Sequence, residues 1–250
     1  FNYNRFDELE ALVNQHDIGV IKMEVSRNHG PEDGFLQKVR DLATAKSIVL
    51  IFDECTSGFR QTFGGLHKMY GVEPDMAMFG KALGNGYAIT ATIGRREIME
   101  AAQTTFISST FWTERIGPSA ALKTLEVMEK SQSWNTITET GRQITERWKK
   151  LGAKHDLNVS TSGLPALTSF SLNSENMLAY KTLITQEMLA KGYLASNAVY
   201  VCTKHTNDVI DGYFEALDPI FALIRECEDG RDIQSLLKGP VCHAGFKRLN

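Results

Sequence analysis

The segment that decides the fold is IVLIFDECTSGFRQTFGGLHKMYGVEPDMAMFGK, residues 48–81. It begins with an apolar, β-branched run that ends on the acid pair Asp53-Glu54, and it closes with a second apolar run that leads to Lys81. Short apolar runs bounded by turn residues are typical of strands buried in a sheet. The pattern therefore predicts two buried strands, one ending at a carboxylate and the other delivering a lysine.

The residues before this segment extend the same pattern. Residues 18–24, IGVIKME, form another short apolar run that ends on Glu24, and residues 35–46 place apolar side chains at helical spacing. A strand, a crossover helix and a second strand are the unit from which parallel sheets are built. Because ligands collect at the carboxyl ends of parallel strands, we expect Glu24 and Asp53 to lie at one functional edge.

The alternation continues beyond Lys81 and then changes. The sequence predicts a strand at 89–93, a helix at 95–102 and a strand at 106–109, whereas the residues after Gly152 are typical of a smaller α+β domain. We therefore expect an α/β fold with a mainly parallel sheet flanked by helices over residues 1–130. A small carboxyl-terminal domain should follow over residues 131–250.

Composition excludes several classes of partner. The chain has 250 residues, 42% of them hydrophobic, and a net charge of -3, which predicts neither nucleic-acid nor membrane-surface binding. No apolar run approaches the ~20 residues of a membrane span. The four cysteines have no metal-knuckle or dense disulfide spacing, which favours a reduced, cytoplasmic setting. No histidine lies at a ligand spacing from Glu24, Asp53 or Glu54, so we expect no metal site.

Asp53 and Lys81 together indicate a chemistry that neither indicates alone. A single lysine is most often a solvated surface charge, and a carboxylate that ends a strand often caps the next turn. A lysine that emerges from a buried strand loses hydration, which favours its neutral, nucleophilic amine. Pyridoxal phosphate needs such a lysine for its aldehyde and an acid that keeps its pyridine nitrogen protonated.

A family resemblance extends along the chain. The segments FDECTSGFR (52–60), YGVEPDMAMFGKALGNGY (70–87), ATIGRREIME (91–100) and STFWTERIGPSAALKTLEVME (109–129) resemble the successive signatures of class III pyridoxal-phosphate aminotransferases. The chain is most similar to the glutamate-1-semialdehyde aminomutase branch of that family. The resemblance implies a fold-type I transferase that moves an amino group from a small-molecule amino donor to a carbonyl acceptor, as an aminotransferase or an aminomutase.

The resemblance also implies roles for particular residues. Lys81 matches the lysine that forms a Schiff base with the cofactor, and Asp53, 28 positions earlier (81 minus 53), matches the acid that pairs with the pyridine nitrogen. Cys55 stands where a small apolar residue, usually valine, packs against the cofactor ring. Thr110 matches a threonine that hydrogen-bonds the cofactor phosphate from the neighbouring subunit, which implies a homodimer with a shared site. Glu24 matches the acid of a Glu-Pro element, although Val25 replaces the proline.

Departures from the family pattern leave two functions open. The glycine-rich phosphate loop and the stacking aromatic residue of the family lie upstream of Phe1, so the chain resembles the carboxyl-terminal portion of a longer enzyme. The alternative is a non-catalytic binding or assembly module that keeps the fold. Asn197 stands where the aminomutase has a glutamate, which favours transfer between two substrates over an internal amino shift. Two further candidates are weaker. Arg60 could bind a substrate carboxylate but is as easily a structural ion-pair partner, and a lone histidine before a helix, such as His205, is more often a surface or capping residue.

Overall fold

The described chain consists of two compact units. A computed structural model describes residues 1–26, 28–108, 110–111 and 113–245. The units are Phe1–Asn135 and Thr136–Asn250, and the boundary falls in the first turn of a helix that begins at Ser133. In the part of the chain that is described, no helix is both long and apolar enough to cross a membrane.

The first unit contains a four-stranded sheet in the order β1-β2-β3-β4. Strands β1, β2 and β3 are parallel, and β4 is antiparallel to β3. The strands and helices are α1 (Phe6–Gln15), β1 (Val20–Glu24), α2 (Phe35–Ala45), β2 (Val49–Asp53), β3 (Met76–Phe79), β4 (Ala91–Gly94), α3 (Arg96–Met99) and α4 (Ile116–Ser131). Short 3-10 helices cover Leu66–Tyr70, Lys81–Leu83 and Glu100–Thr104.

The two faces of this sheet differ in burial. Side chains alternate between the faces of a strand, and in β1 and β2 the positions of one face are fully buried. That face carries Ile21, Met23, Leu50 and Phe52. The other face is half-buried or exposed and carries Val20, Lys22, Glu24, Ile51 and Asp53. The polar side chains at the ends of β1 and β2 therefore lie on the more open face.

A buried carboxylate joins three parts of the first unit. Asp75 is 5% exposed and accepts a hydrogen bond from the Leu50 backbone N–H at 2.8 Å. It also forms ion pairs with Arg40 of α2 at 2.9 Å and with Arg95, next to α3, at 3.1 Å. Burial alone raises the pKa of Asp75, but these hydrogen bonds and charges outweigh burial and hold the pKa below its usual value. Asp75 thus ties β2 and β3 to the helices beside them.

We predict that Asp75→Asn lowers the free energy of unfolding of the full-length protein by about 3 to 5 kcal/mol, because Arg40 is left buried without its carboxylate. Denaturant unfolding monitored by circular dichroism measures this loss. The control is Glu139→Gln, which removes an exposed ion pair with Arg142 and should cost under about 0.5 kcal/mol. Equal effects of the two substitutions would contradict a structural role for Asp75.

The same carboxylate predicts a pH dependence. The pKa of Asp75 is lower in the folded than in the unfolded chain. The contribution of Asp75 to the free energy of unfolding is therefore fully present above the unfolded-state pKa. The stabilisation is lost as the pH falls through the folded-state pKa. The Asp75→Asn variant should therefore lose less stability than the wild type over that acidic interval.

The second unit is a smaller α+β arrangement. Its three-stranded antiparallel sheet has the order β5-β6-β7, and a single apolar core packs between sheet and helices. The Trp148 indole, fully buried in that core, donates a hydrogen bond to the Tyr213 hydroxyl at 3.0 Å. The strands and helices are α5 (Ser133–Lys154), β5 (Val159–Ser162), β6 (Leu167–Leu172), α6 (Met177–Ala190), β7 (Ala198–Tyr200) and α7 (Asn207–Glu228), with a 3-10 helix at Ile233–Leu236.

The structure differs from the sequence-based expectation at three places. Residues 106–108 form no strand, and Phe106 is 95% exposed, so this apolar run does not enter the sheet; Ser109 lies outside the described residues. The helix expected at 95–102 ends at Met99 and continues as a 3-10 helix. Strand β5 was not expected, because its sequence VSTS lacks the apolar residues that mark a strand.

Candidate active site

Parallel pairing brings two carboxylates to one edge of the first unit's sheet. Glu24 and Asp53 end β1 and β2 and stand directly opposite each other in the register. Asp53 in turn pairs with Met78 of β3, so Lys81 follows only three positions beyond the same edge. The carboxyl ends of the three parallel strands therefore place Glu24, Asp53 and Lys81 along one rim.

Both oxygens of the Asp53 carboxylate have hydrogen-bond donors. Oδ1 accepts from the Cys55 backbone N–H at 3.2 Å, and Oδ2 lies 2.9 Å from Nζ of Lys22 in the neighbouring strand. The hydrogen bond from Lys22 holds the pKa of the Asp53 carboxyl below its usual value, against a smaller opposing effect of burial. Asp53 is therefore an ionised carboxylate held in a defined orientation.

Lys81 adopts an unusual backbone conformation at the end of β3. Its φ of +45° lies in the left-handed region, which costs a residue with a side chain roughly 1 to 3 kcal/mol. Nζ of Lys81 donates a 2.6 Å hydrogen bond to Oγ1 of Thr56, just beyond β2. Contrary to the desolvation expected from the sequence, Lys81 is exposed, because its side chain leaves the sheet at an open rim.

Cys55 is close enough to both Asp53 and Lys81 to interact with each. Its thiol interacts electrostatically with both Asp53 and Lys81, and burial followed by the hydrogen bond to Asp53 raises the pKa of the thiol. A Cβ atom on Gly80 would lie 3.5 Å from Sγ of Cys55, an ordinary van der Waals distance, so Cys55 lies beside the start of the Lys81 turn. A neutral thiol is a small, largely apolar group here.

Glu54, the second acid of the pair, faces the interior. It is 0% exposed and accepts hydrogen bonds from Ser57 Oγ at 2.5 Å and from the backbone N–H of His67 at 3.0 Å, and it pairs with His67 Nδ1 at 2.8 Å. Although burial favours the neutral form, these hydrogen bonds keep the pKa of Glu54 below its usual value. A Cβ on Gly65 would collide with the His67 ring at 2.3 Å. Glu54 therefore anchors the loop that carries Cys55 and Thr56.

The chain turns sharply after Lys81. The backbone N–H groups of Gly84 and Asn85 donate to the Lys81 carbonyl at 3.2 and 3.1 Å, and Asn85 and Gly86 have positive φ values. The segment Gly84-Asn85-Gly86 is thus a turn that redirects the chain.

Thr110 is in a different setting from Asp53 and Lys81. It lies in an exposed turn before α4, and among the described residues it makes no hydrogen bond to Asp53, Cys55 or Lys81. Helix α4 begins at Ile116, and its first free N–H groups are already occupied, because the Glu114 carboxylate accepts from Ile116 and from Gly117. A phosphate would have to compete with this carboxylate at the start of the helix.

Sequence reasoning missed two residues of the site, Lys22 and Thr56. A lysine inside the apolar run IGVIKME was a signal for the first, because Lys22 is two positions from Glu24 and shares its face. Thr56 had no such signal, since it lies in a loop whose path depends on the packing of Glu54.

Residues of the second unit that were candidates have structural partners. The His205 ring accepts a hydrogen bond from the Cys202 backbone N–H at 3.0 Å and closes the loop before α7. The Asn197 amide donates to the Phe170 carbonyl at 2.9 Å and holds the chain beside β6. In the described ranges, no group of three or more His, Cys, Asp or Glu side chains could hold a metal ion.

Comparison with family models gives a match over residues 13–206 to class III aminotransferases. The chain belongs to the class III aminotransferase family. The match covers the rim that carries Glu24, Asp53 and Lys81 and continues into the second unit. The family resemblance read from the sequence is confirmed.

Curated members of the family show the same relationship. The chain is 32% identical over 240 residues to a 3-aminobutyryl-CoA aminotransferase of Cloacimonas acidaminovorans, covering 90% of this chain and 58% of that protein. It is 26% identical over 242 residues to a glutamate-1-semialdehyde 2,1-aminomutase of Methanocaldococcus jannaschii, covering 88% of this chain and 57% of that protein. The chain thus spans less than two thirds of the length of these relatives.

Solved structures show which fold the chain has. The FumI protein of Sphingopyxis sp. MTA144 superposes with a TM-score of 0.85 at 20% identity, over 92% of this chain and 58% of that chain. An omega-transaminase from Sphaerobacter thermophilus superposes with a TM-score of 0.79 at 21% identity, over 92% of this chain and 57% of that chain. The α/β fold expected from the sequence, that of the pyridoxal-phosphate transaminases, is confirmed.

Proposed function

We propose that the full-length protein is a pyridoxal-phosphate enzyme that transfers an amino group between a small-molecule amino donor and a carbonyl acceptor. The placement of Lys81 is the observation that carries this proposal. Lys81 occupies a strained left-handed conformation on the rim that also carries the ionised Asp53. Backbone strain of this kind persists only where the surrounding structure fixes it, and it clusters at active sites.

The side chains at the rim suit pyridoxal phosphate. A primary amine, a fixed carboxylate and a small neutral side chain close to both match the aldehyde, the ring nitrogen and the flat ring of that cofactor. Lys81, Asp53 and Cys55 provide these three groups. When bound, pyridoxal phosphate supplies an aldehyde that condenses with amines and a protonated ring that withdraws electrons.

Each rim residue then has a distinct role. Asp53 would hold a proton on the pyridine nitrogen, because an ionised carboxylate stabilises an adjacent positive charge. Nζ of Lys81 would bind the aldehyde, and its amine could also act as a general base. Thr56 orients Nζ through its 2.6 Å hydrogen bond. Glu24, half-buried opposite Asp53, is the candidate for substrate contact.

We extend the proposal to assembly, location and domains. Thr110 is proposed to bind the cofactor phosphate of a second copy, since it is exposed and, among the described residues, makes no hydrogen bond to Asp53 of its own chain. Sedimentation of the full-length protein tests the homodimer. Four free cysteines support a reducing, cytoplasmic location. Residues 1–130 are assigned to the large cofactor-binding domain and 131–250 to the small domain.

Covalent trapping tests the function. The full-length protein mixed with pyridoxal phosphate should develop a new absorbance band, and borohydride reduction followed by peptide mapping should find the cofactor on Lys81. Lys22 is an informative internal control, because its exposed amine belongs to the same rim. Cofactor found on Lys22 instead would contradict the assignment of Lys81 as the cofactor-binding lysine, and the absence of any cofactor binding would favour the non-catalytic module.

A second assay distinguishes an aminomutase from a transaminase. The full-length protein is incubated either with glutamate 1-semialdehyde or with a panel of amine donors and keto acids, and the substrates that react identify the activity.

A further inference from the structure

Lys22 makes an ion pair with the carboxylate on which the proposed function depends. Its Nζ lies 2.9 Å from Oδ2 of Asp53, and the Lys22 side chain is 53% exposed whereas that of Asp53 is 23% exposed. The contact joins adjacent parallel strands, because Lys22 lies in β1 two positions before Glu24, which is the register partner of Asp53. Strand geometry therefore holds this lysine beside Asp53.

Each oxygen of the Asp53 carboxylate already has one donor, although each can still accept another. Oδ1 accepts from the Cys55 backbone N–H at 3.2 Å, and Oδ2 lies 2.9 Å from Nζ of Lys22. A protonated pyridine nitrogen seeks the same carboxylate. One negative charge must then serve two positive partners, and each weakens the hold of the other.

Resting on the proposed function, we propose that Lys22 is a positioning residue: it orients the Asp53 carboxylate in the cofactor-free protein and competes with the protonated ring nitrogen of pyridoxal phosphate for that carboxylate. Lys22 prepares Asp53 as an ionised acceptor before the cofactor arrives. With the cofactor bound, Lys22 would share the carboxylate and would lower the proton affinity of the ring nitrogen. The ion pair would thus weaken the electron withdrawal that the ring supplies.

The other charged and titratable groups at the rim do not replace Lys22. Glu24 is a second carboxylate opposite Asp53, Lys81 donates its hydrogen bond to Thr56, and Cys55 contributes a neutral thiol. Lys22 is therefore the ammonium group seen to contact Asp53 directly among the described residues.

Lys22→Met tests the orienting role in the cofactor-free full-length protein. Removing the ammonium should raise the pKa of Asp53, measured from the carboxyl carbon by NMR, because the cation that stabilises the ionised form is gone. Lys22→Arg keeps the charge and should leave the titration close to that of the wild type. Lys38→Met removes the same charge from α2 as a control. An Asp53 titration that is unchanged in Lys22→Met would overturn the orienting role; Lys22→Gln replaces Lys22→Met if the latter fails to fold.

Cofactor titration tests the competition. Lys22→Met should bind pyridoxal phosphate about two- to fivefold more tightly than the wild type at low salt, the range set by a partly exposed ion pair. The difference should shrink as salt is added, while Lys22→Arg and Lys38→Met should match the wild type. Unchanged or weaker binding by Lys22→Met would overturn the competition and leave the proposed function intact. A wild type that binds no cofactor would overturn the proposed function and the competition together, and the Asp53 titration would still decide the orienting role.

Discussion

If the proposed function is right, replacing Lys81 by alanine is expected to lower the rate of amino-group transfer by the full-length protein by about 10³-fold or more, because one side chain would supply both the covalent attachment and the general base. Borohydride should then no longer attach the cofactor to the chain. Lys81→Arg should be equally inactive, since a guanidinium keeps the charge but does not give up its proton. Steady-state kinetics with a saturating amine donor, together with mass spectrometry of the reduced protein, measures both effects.

The backbone strain at Lys81 allows a second, independent readout. Glycine is normally less stable than alanine by about 0.5 to 1 kcal/mol in regular structure. At a φ of +45° the order should reverse, so Lys81→Gly should be more stable to denaturant than Lys81→Ala. Loss of activity in both variants with this reversed stability order would locate strain and function at the same residue. Retention of activity in Lys81→Ala would contradict the assignment of Lys81.

Asp53→Asn is expected to reduce the transfer rate by about 10²- to 10³-fold, as the loss of one oriented electrostatic partner typically does. The amide cannot carry the negative charge that stabilises a protonated ring nitrogen. Folding should be little affected, because the Lys22 ammonium left behind is 53% exposed and is solvated by water. The kinetic measurement is kcat with a saturating amine donor.

Two further variants test the carboxylates at this rim: one separates the charge of Asp53 from its position, and the other removes the charge of Glu24. Asp53→Glu keeps the charge and moves it by one methylene, so it should retain more activity than Asp53→Asn. Glu24→Gln removes the carboxylate directly opposite in the register and should affect KM for the substrate more than kcat. An Asp53→Asn enzyme with a kcat near that of the wild type would argue against a ring-nitrogen partner at Asp53.

The central part of the fold could be predicted from the sequence because its strands are buried and its helices are amphipathic. The apolar run of β2 and its crossover helix α2 were both recognisable from period and composition. Strand β4 was placed roughly, but its antiparallel direction depends on how the chain turns at Gly84-Asn85-Gly86. Strand β5 was missed, because its pairing with β6 rather than its own residues makes it a strand.

The sequence alone determined the family, the candidate lysine and the acid pair Asp53-Glu54, because these are statements about residue types at fixed spacings. Only the tertiary structure shows where Glu54 lies and which contacts hold Asp53 at the rim. Neighbouring residues at the end of a strand point to opposite sides, so Asp53 faces Lys22 while Glu54 is buried against His67. The left-handed backbone of Lys81 and the contacts of Nζ with Thr56 and of Lys22 with Asp53 likewise arise from the pairing of strands and the packing of loops. Those relations join residues far apart in the chain, and no local pattern encodes them.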